Sequence, residues 1–317
     1  MRVFVAGATG TLGVPVLREL GRRGHETVGM TRSEDRRKTI EELGATAVVA
    51  DALDAQSTTA AVKDARPDAV LHLLTALPKN GPIRPGQLKG TDEVRDRGTH
   101  NLLQAAVDAG ARRFVGESFF GIYGVARGDG PFTEDAELGS LSDDDPMAPS
   151  WRALLSLESQ ILGASREGKI EGMVIRYAGF HGPEVPSSRY LLKNVKRRTL
   201  PLLAGGGGVV SWIDVDDGAR LTVDVMERGA PGEIYNASDD EPVTFRDYAT
   251  ELARLAGAKP PRSVPRWLAS LVASYGTRYM SDTRLPVSNE KAKRELGWVP
   301  ERPTYREALA ALVSAAG

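Results

Sequence analysis

The stretch Val3-Phe4-Val5-Ala6-Gly7-Ala8-Thr9-Gly10-Thr11-Leu12-Gly13 passes from an apolar run through a glycine-rich turn into an amphipathic segment. Residues 3–6 read as a first strand and residues 11–23 as a helix. The intervening glycines permit a tight turn, a close approach of backbone amides to a pyrophosphate, and close packing of helix on strand. An anion placed there meets the positive end of the helix. A glycine triplet alone is weak evidence. The strand before it and the helix after it supply the context that gives the motif its meaning. Gly7, Thr9, Gly10, Thr11 and Leu12 are therefore the expected contacts to a dinucleotide.

Working outward, residues 26–30, 47–50, 69–74, 113–116 and 172–176 read as further strands. Helical stretches at 94–109 and 150–167 separate the later ones. Near-continuous apolar strands alternating with helices predict a parallel sheet covered on both faces, which is a doubly wound α/β Rossmann architecture. Such a sheet takes its ligand beyond the carboxyl ends of its strands. Residues 1–182 form the expected dinucleotide-binding domain, with a segment near 209–240 returning to it. Residues 183–317, with helical segments at 188–198, 214–228, 245–256 and 289–296, read mainly as a smaller substrate-binding lobe. The run Gly205 to Gly208 is expected to be a mobile loop beside the substrate, and Asp143-Asp144-Asp145 a solvated loop.

The end of the second strand sets the cofactor preference. An acidic residue there would bind the ribose 2′-hydroxyl of NAD, whereas arginine accepts the 2′-phosphate of NADP. The chain carries Thr31-Arg32-Ser33, followed by Arg36, Arg37 and Lys38. Arg32 and Ser33 suit a phosphate, so NADP(H) is expected over NAD(H); Arg37 and Lys38 read as a solvated basic helix start. Asp51 is placed to accept from the adenine amino group. Ala52, Leu74, Thr75, Glu117, Tyr177 and Phe180 complete the expected cofactor contacts.

The bulk composition narrows the rest. With 41 basic and 42 acidic side chains, the net charge of −1 provides no field to gather nucleic acid or an anionic membrane. No apolar run approaches the roughly 20 residues that span a bilayer, and no leader peptide is read, so the expected location is the cytoplasm. The chain has no cysteine, which excludes disulfides, thiolate nucleophiles and thiolate metal sites. His25, His72, His100 and His181 show no metal-ligand spacing, and no metal is expected.

Further motifs occur in order: Gly98-Thr99-His100-Asn101-Leu102-Leu103, Ile122-Tyr123-Gly124, Ile175-Arg176 through His181-Gly182-Pro183, Trp212-Ile213-Asp214-Val215-Asp216-Asp217, and Glu295-Leu296-Gly297-Trp298-Val299-Pro300. Together with the glycine turn they resemble the extended short-chain dehydrogenase/reductase family over nearly the whole chain. The resemblance implies a Ser or Thr, a Tyr with a Lys near it, and an Asn as the catalytic group. Carried over by motif, those positions are Phe119, Ser150, Leu154 and Arg95, so all four differ from the family pattern. No other Tyr-x-x-x-Lys occurs in the chain.

Hydride transfer needs alignment, which the fold supplies; the tyrosine stabilises and protonates the developing alkoxide. A carbonyl already hydrogen-bonded to the substrate's own hydroxyl needs less of that help. Phe119 and Leu154 would suit a flat apolar guest, with Phe120, Trp151, Tyr190, Leu191 and Leu192 as further candidates for the cleft. The pattern resembles ketoreductases of angucyclinone antibiotic assembly, of the simocyclinone type. It implies NADPH-dependent, substrate-assisted reduction of a polycyclic aromatic ketone by a monomer or homodimer.

Ser118 and Tyr123 are the candidate replacement donors, with Tyr177 and His181 as weaker ones. Glu117 reads either as a buried carboxylate near the nicotinamide or as a salt-bridged strand end. Two alternatives stand beside the reductase: a non-catalytic NADP(H) sensor, and a sugar-nucleotide epimerase or dehydratase for which Arg278 and Arg284 are candidate phosphate ligands.

Overall fold

The computed structural model describes residues 1–124, 128, 130–203, 207–272 and 282–317. Six strands enter in chain order: β1 (Arg2–Ala6), β2 (Glu26–Thr31), β3 (Thr46–Val49), β4 (Ala69–His72), β5 (Arg113–Phe119) and β6 (Glu171–Tyr177). Across the sheet they run β6-β5-β4-β1-β2-β3, and the strand Ile234–Ala237 adds beyond β6 to make seven. Every pairing is parallel. The chain first winds from β1 toward β3, then crosses to β4 and winds the other way. The reversal between β1 and β4 opens the crevice in which such sheets bind ligand.

The first nine α-helices in chain order are α1 (Gly13–Arg22), α2 (Arg37–Glu41), α3 (Ala55–Ala65), α4 (Lys89–Glu93), α5 (Thr99–Asp108), α6 (Ala148–Arg166), α7 (Pro186–Lys196), α8 (Val215–Arg228) and α9 (Phe245–Leu255). Because side chains alternate across a strand, each strand feeds both faces. Val3, Val5, Leu71, Val115, Met173 and Ile175 pack beneath α1 and α8. Phe4, Val70, Phe114 and Val174 pack beneath α3, α5 and α6.

Two elements depart from the sequence expectation. Residues 55–65 carry no clear apolar stripe, yet Asp54 caps them as a helix by accepting the amides of Gln56 and Ser57 at 3.0 and 3.2 Å. The helix expected over 94–109 is interrupted: α4 runs into a π-helical stretch, Val94–Gly98, before α5. Widened turns of this kind recur at functional sites, and this one carries Arg95.

The strands Gly179–His181 and Trp212–Asp214 pair in parallel as a separate two-stranded sheet. Leu192, Trp212, Tyr248, Leu252, Tyr305 and Leu309 form a separate apolar cluster. The chain's last part is clipped back to the start of α8: the Asp217 carboxylate accepts the amides of Glu301 and Arg302 at 2.9 and 3.0 Å. Arg302 also donates to Asp214 at 2.7 Å. No described helix is long and apolar enough to cross a membrane. Arg278, Gly205 and Gly206 lie outside the described residues.

Candidate active site

The site begins at the turn between β1 and α1. Gly7 has a φ of +95°, which an L side chain rarely adopts, and a Cβ there would sit 2.4 Å from the Leu73 carbonyl oxygen. A Cβ at Gly13 would sit 2.1 Å from the Gly7 carbonyl oxygen. The Gly10 amide donates to the Gly7 carbonyl at 2.9 Å and closes the turn. Gly10 and Thr11 are exposed at its mouth, whereas Leu12 is buried beneath it. Side chains at 7 and 13 would fill the space that lets backbone reach a pyrophosphate at the amino end of α1. The residues present therefore fit a dinucleotide.

At the end of β2, Arg32 is exposed and Ser33 half-buried, its amide on the Thr31 hydroxyl. Arg36 adds a cation: its guanidinium donates to the Thr9 carbonyl and hydroxyl oxygens, both at 3.4 Å. Arg36 stands in the basic run Arg36-Arg37-Lys38. The distinguishing signal is that Arg37 faces Glu34 and Glu41, and Lys38 faces Glu42, while Arg36 has no carboxylate at that spacing. Asp51 accepts the Leu53 amide at 3.0 Å, so part of its carboxylate is engaged in holding its own turn. Ala52 is buried, and its carbonyl accepts from Asn101 at 2.8 Å. Leu74 and Thr75 are half-buried just past β4.

The carboxyl ends of β5 and β6 sort their side chains by face. Ser118 turns toward α6, where its hydroxyl donates to Glu158 at 2.6 Å. Glu158 also accepts from Arg176 at 2.7 and 2.9 Å, and Arg176 donates to the Tyr123 hydroxyl at 2.9 Å. Tyr123 in turn donates to Asn236 at 2.8 Å. The two candidate donors are thus buried members of one polar chain beneath the sheet, and their hydroxyls are spent on holding it. Tyr177 is also buried, its hydroxyl 2.7 Å from that of Thr222, and its ring packs 5.2 Å from Phe180. Its hydroxyl is thereby held against α8. His181 is fully buried against Trp212 at 5.8 Å, and burial pushes it down to about 3, so it is neutral.

Glu117, one residue before Ser118, turns to the opposite face. It is half-buried and makes no hydrogen bond among the described residues, so the salt-bridged reading does not apply. Burial pushes its carboxyl up to about 7, against the nearby Arg95 guanidinium, which acts in the other direction. Arg95 also acts on His72, which burial holds neutral at about 4, and on Asp92, which burial pushes up. Ser150 donates to Asp92 at 2.8 Å. Leu154 is buried among Phe120, Ile122 and Leu192, with half-buried Phe119 packed on that cluster. Trp151 donates its indole N–H to the Ile122 carbonyl at 3.0 Å, whereas Tyr190 is exposed.

The family model that describes the NAD dependent epimerase/dehydratase family matches residues 3–238. A Streptomyces protein named 3-diazoavenalumate denitrifying reductase is 36% identical over 313 residues, covering 98% of this chain and 99% of that one. A dTDP-glucose 4,6-dehydratase of Neisseria meningitidis is 28% identical over 256 residues, 74% of this chain and 68% of that one. Among solved structures, the Streptomyces venezuelae dTDP-glucose 4,6-dehydratase DesIV with NAD bound superposes with a TM-score of 0.80 at 24% identity, covering 99% of this chain and 96% of that one. With the glycine turn, the switch point and the second lobe in place, the chain belongs to the NAD dependent epimerase/dehydratase family, the extended short-chain dehydrogenase/reductase group that its motifs resemble.

Proposed function

We propose that this protein is an NADP(H)-dependent reductase of a flat aromatic acceptor, with the carbonyl of a polycyclic, polyketide-like ketone as the leading substrate class. The observation that carries the reading lies at the positions which the family's tyrosine and lysine would take. Ser150 is held by Asp92, and Leu154 is buried in an apolar cluster. The bound dinucleotide would supply hydride. Gly7, Gly10 and Gly13 would shape its cradle, and Arg32 with Arg36 would receive an adenosine 2′-phosphate beside it. The chain's remaining task is to orient the acceptor and manage charge on its oxygen. A ketone with a hydroxyl beside its carbonyl stabilises that oxygen internally as charge develops, which reduces what the protein must donate.

A second reading has a close relative behind it. The name of the Streptomyces reductase states reductive loss of nitrogen from a diazo compound. An arenediazonium ion that accepts hydride loses its C–N bond as N₂ and gains a C–H bond at that carbon, a balance that requires no proton. A cleft without a tyrosine acid suits that chemistry as well. Sugar nucleotides form the third arm of the test, because dehydratases are among the relatives.

The deciding experiment follows NADPH absorbance with peri-hydroxytetralone, unsubstituted tetralone and a carboxylated benzenediazonium salt, and product formation by chromatography with dTDP-glucose and NAD, where hydride leaves and returns and no cofactor is consumed. Turnover of the tetralones supports the ketone reading, and turnover of the diazonium salt alone moves the assignment to the second. NADPH that binds but is consumed by no acceptor would overturn both, leaving the sugar-nucleotide reading if dTDP-glucose is converted and a cofactor-binding regulator if it is not. Cofactor preference has its own readout. Replacing Arg32 and Arg36 together by Ala should weaken NADPH by roughly 10- to 100-fold, the scale of lost hydrogen bonds to a charged group, and leave NADH unchanged. Titration calorimetry with both cofactors checks this; equal losses for the two would remove the phosphate assignment.

A further inference from the structure

We infer that Glu117 is the acid of this cleft, the side chain that passes a proton to the oxygen of the reduced carbonyl. The inference rests on the reductase reading and supplies what that reading lacks. An internal hydroxyl can stabilise a developing oxyanion, but it returns as a phenolate unless a proton enters from elsewhere. Ser118 and Tyr123 cannot supply it while they are bonded to Glu158 and Asn236 beneath the sheet.

The placement of Glu117 follows from strand alternation. β5 lies between β4 and β6, next to the switch point. Val115 and Arg113 share the face of Glu117; Val115 belongs to the core under α1 and α8, and Arg113 donates to the Met226 carbonyl in α8 at 2.7 Å. A residue two places further along the same face reaches the carboxyl edge of the sheet, where the crevice lies and where the core gives way to ligand space. Glu117 opposes Ile175 of β6 in register. The chain places a carboxyl there that has no hydrogen-bonding partner among the described residues.

The neighbouring carboxylates differ in this respect. Glu158 is met by Arg176 and Ser118, and Asp92 by Ser150. An unbonded, half-buried carboxyl resists ionisation, and the cation of Arg95 offsets the burial only in part. The result is an acid poised near neutrality, where a proton donor is most effective. Glu117 in turn acts on Tyr177, which Thr222 holds and burial keeps neutral.

The step balances as follows. The carbonyl carbon gains two electrons and a hydrogen as hydride from the bound dinucleotide. The O–H bond of Glu117 breaks as the O–H bond of the alcohol forms. Glu117 is left as a carboxylate that Arg95 stabilises until solvent returns the proton.

The test compares wild type with Glu117→Gln and Glu117→Asp. In cofactor-free protein, infrared difference spectra should show a protonated carboxyl band that disappears as pH rises through neutrality and is absent from E117Q. With the tetralones, E117Q should lose about 100-fold or more in kcat, the lower scale for general-acid work, with NADPH affinity within a few-fold. Wild-type kcat should fall as pH rises through about 7, because the protonated form is the donor. E117Q should lose that limb, and E117D should keep part of it. A carboxyl already ionised below neutrality, or an E117Q enzyme with unchanged kcat and pH profile, overturns the inference. If wild type reduces no tetralone, the ketone reading falls, and the infrared titration still decides whether Glu117 holds the proton.

Discussion

Gly13→Ala should lower stability by about 3 kcal/mol, the upper end of overpacking costs, and abolish measurable NADPH binding. The added methyl would lie 2.1 Å from the Gly7 carbonyl oxygen and 2.8 and 2.9 Å from backbone atoms of Ala8. None of these is the tip of a flexible side chain. The turn must therefore open, and opening it moves the amides at the start of α1 away from the pyrophosphate position. Gly10→Ala separates the two effects. Its Cβ would meet only the Gly7 carbonyl oxygen, at 3.0 Å, and Gly10 is exposed at the mouth of the turn. That variant should unfold near the wild-type midpoint but bind NADPH poorly. Gly21→Ala, within α1 and with nothing inside 4 Å, should be neutral or slightly stabilising. Urea unfolding and cofactor titration check all three. A Gly13→Ala protein with wild-type stability and affinity would mean that the turn is not the cofactor cradle.

The second large effect is expected away from the cleft. Glu158→Gln should destabilise the fold by about 3–5 kcal/mol, the cost of leaving a buried charge without its partner. Arg176 is 2% exposed and donates twice to Glu158, so the uncompensated guanidinium cannot relax into water. The loss should spread to Tyr123, which takes the next hydrogen bond in the chain. Replacing the pair together, Glu158→Leu with Arg176→Met, should cost less than the sum of the two single changes, because no charge then stays buried alone. Additive losses in a double-mutant cycle would show that the two side chains act independently.

The dinucleotide half of the site was legible because its requirements are local. A glycine at Gly7 answers a backbone angle, one at Gly13 answers a backbone contact, and both appear in the sequence as spacing. The position of Arg32 just past β2 was legible for a similar reason, since the end of that strand follows from the strand pattern. Arg36 was harder: its neighbours Arg37 and Lys38 have the same charge, and only their carboxylate partners separate them. The fate of Ser118 could not be read from spacing. It depends on which face of β5 the residue occupies, and a shift of one position exchanges Ser118 for Glu117. Helix α3 was missed because Asp54, more than an apolar stripe, starts it. The π-helical stretch that carries Arg95 has no signature in hydrophobic period, since it is a single widened turn within a helical run.

The strand Ile234–Ala237 has a consequence for how the protein is made. It is the outer neighbour of β6, and α8, which leads to it, covers the same face of the sheet as α1. Tyr123, from the middle of the chain, is tied to Asn236 in that strand. A nascent chain that has cleared the ribosome only as far as Gly182 still has a bare edge on β6 and an uncovered apolar surface on α1. Such an intermediate invites edge-to-edge association and chaperone capture until the last third of the polypeptide arrives. Synthesis pauses placed before residue 237 should therefore lower the yield of native protein far more than pauses placed after it.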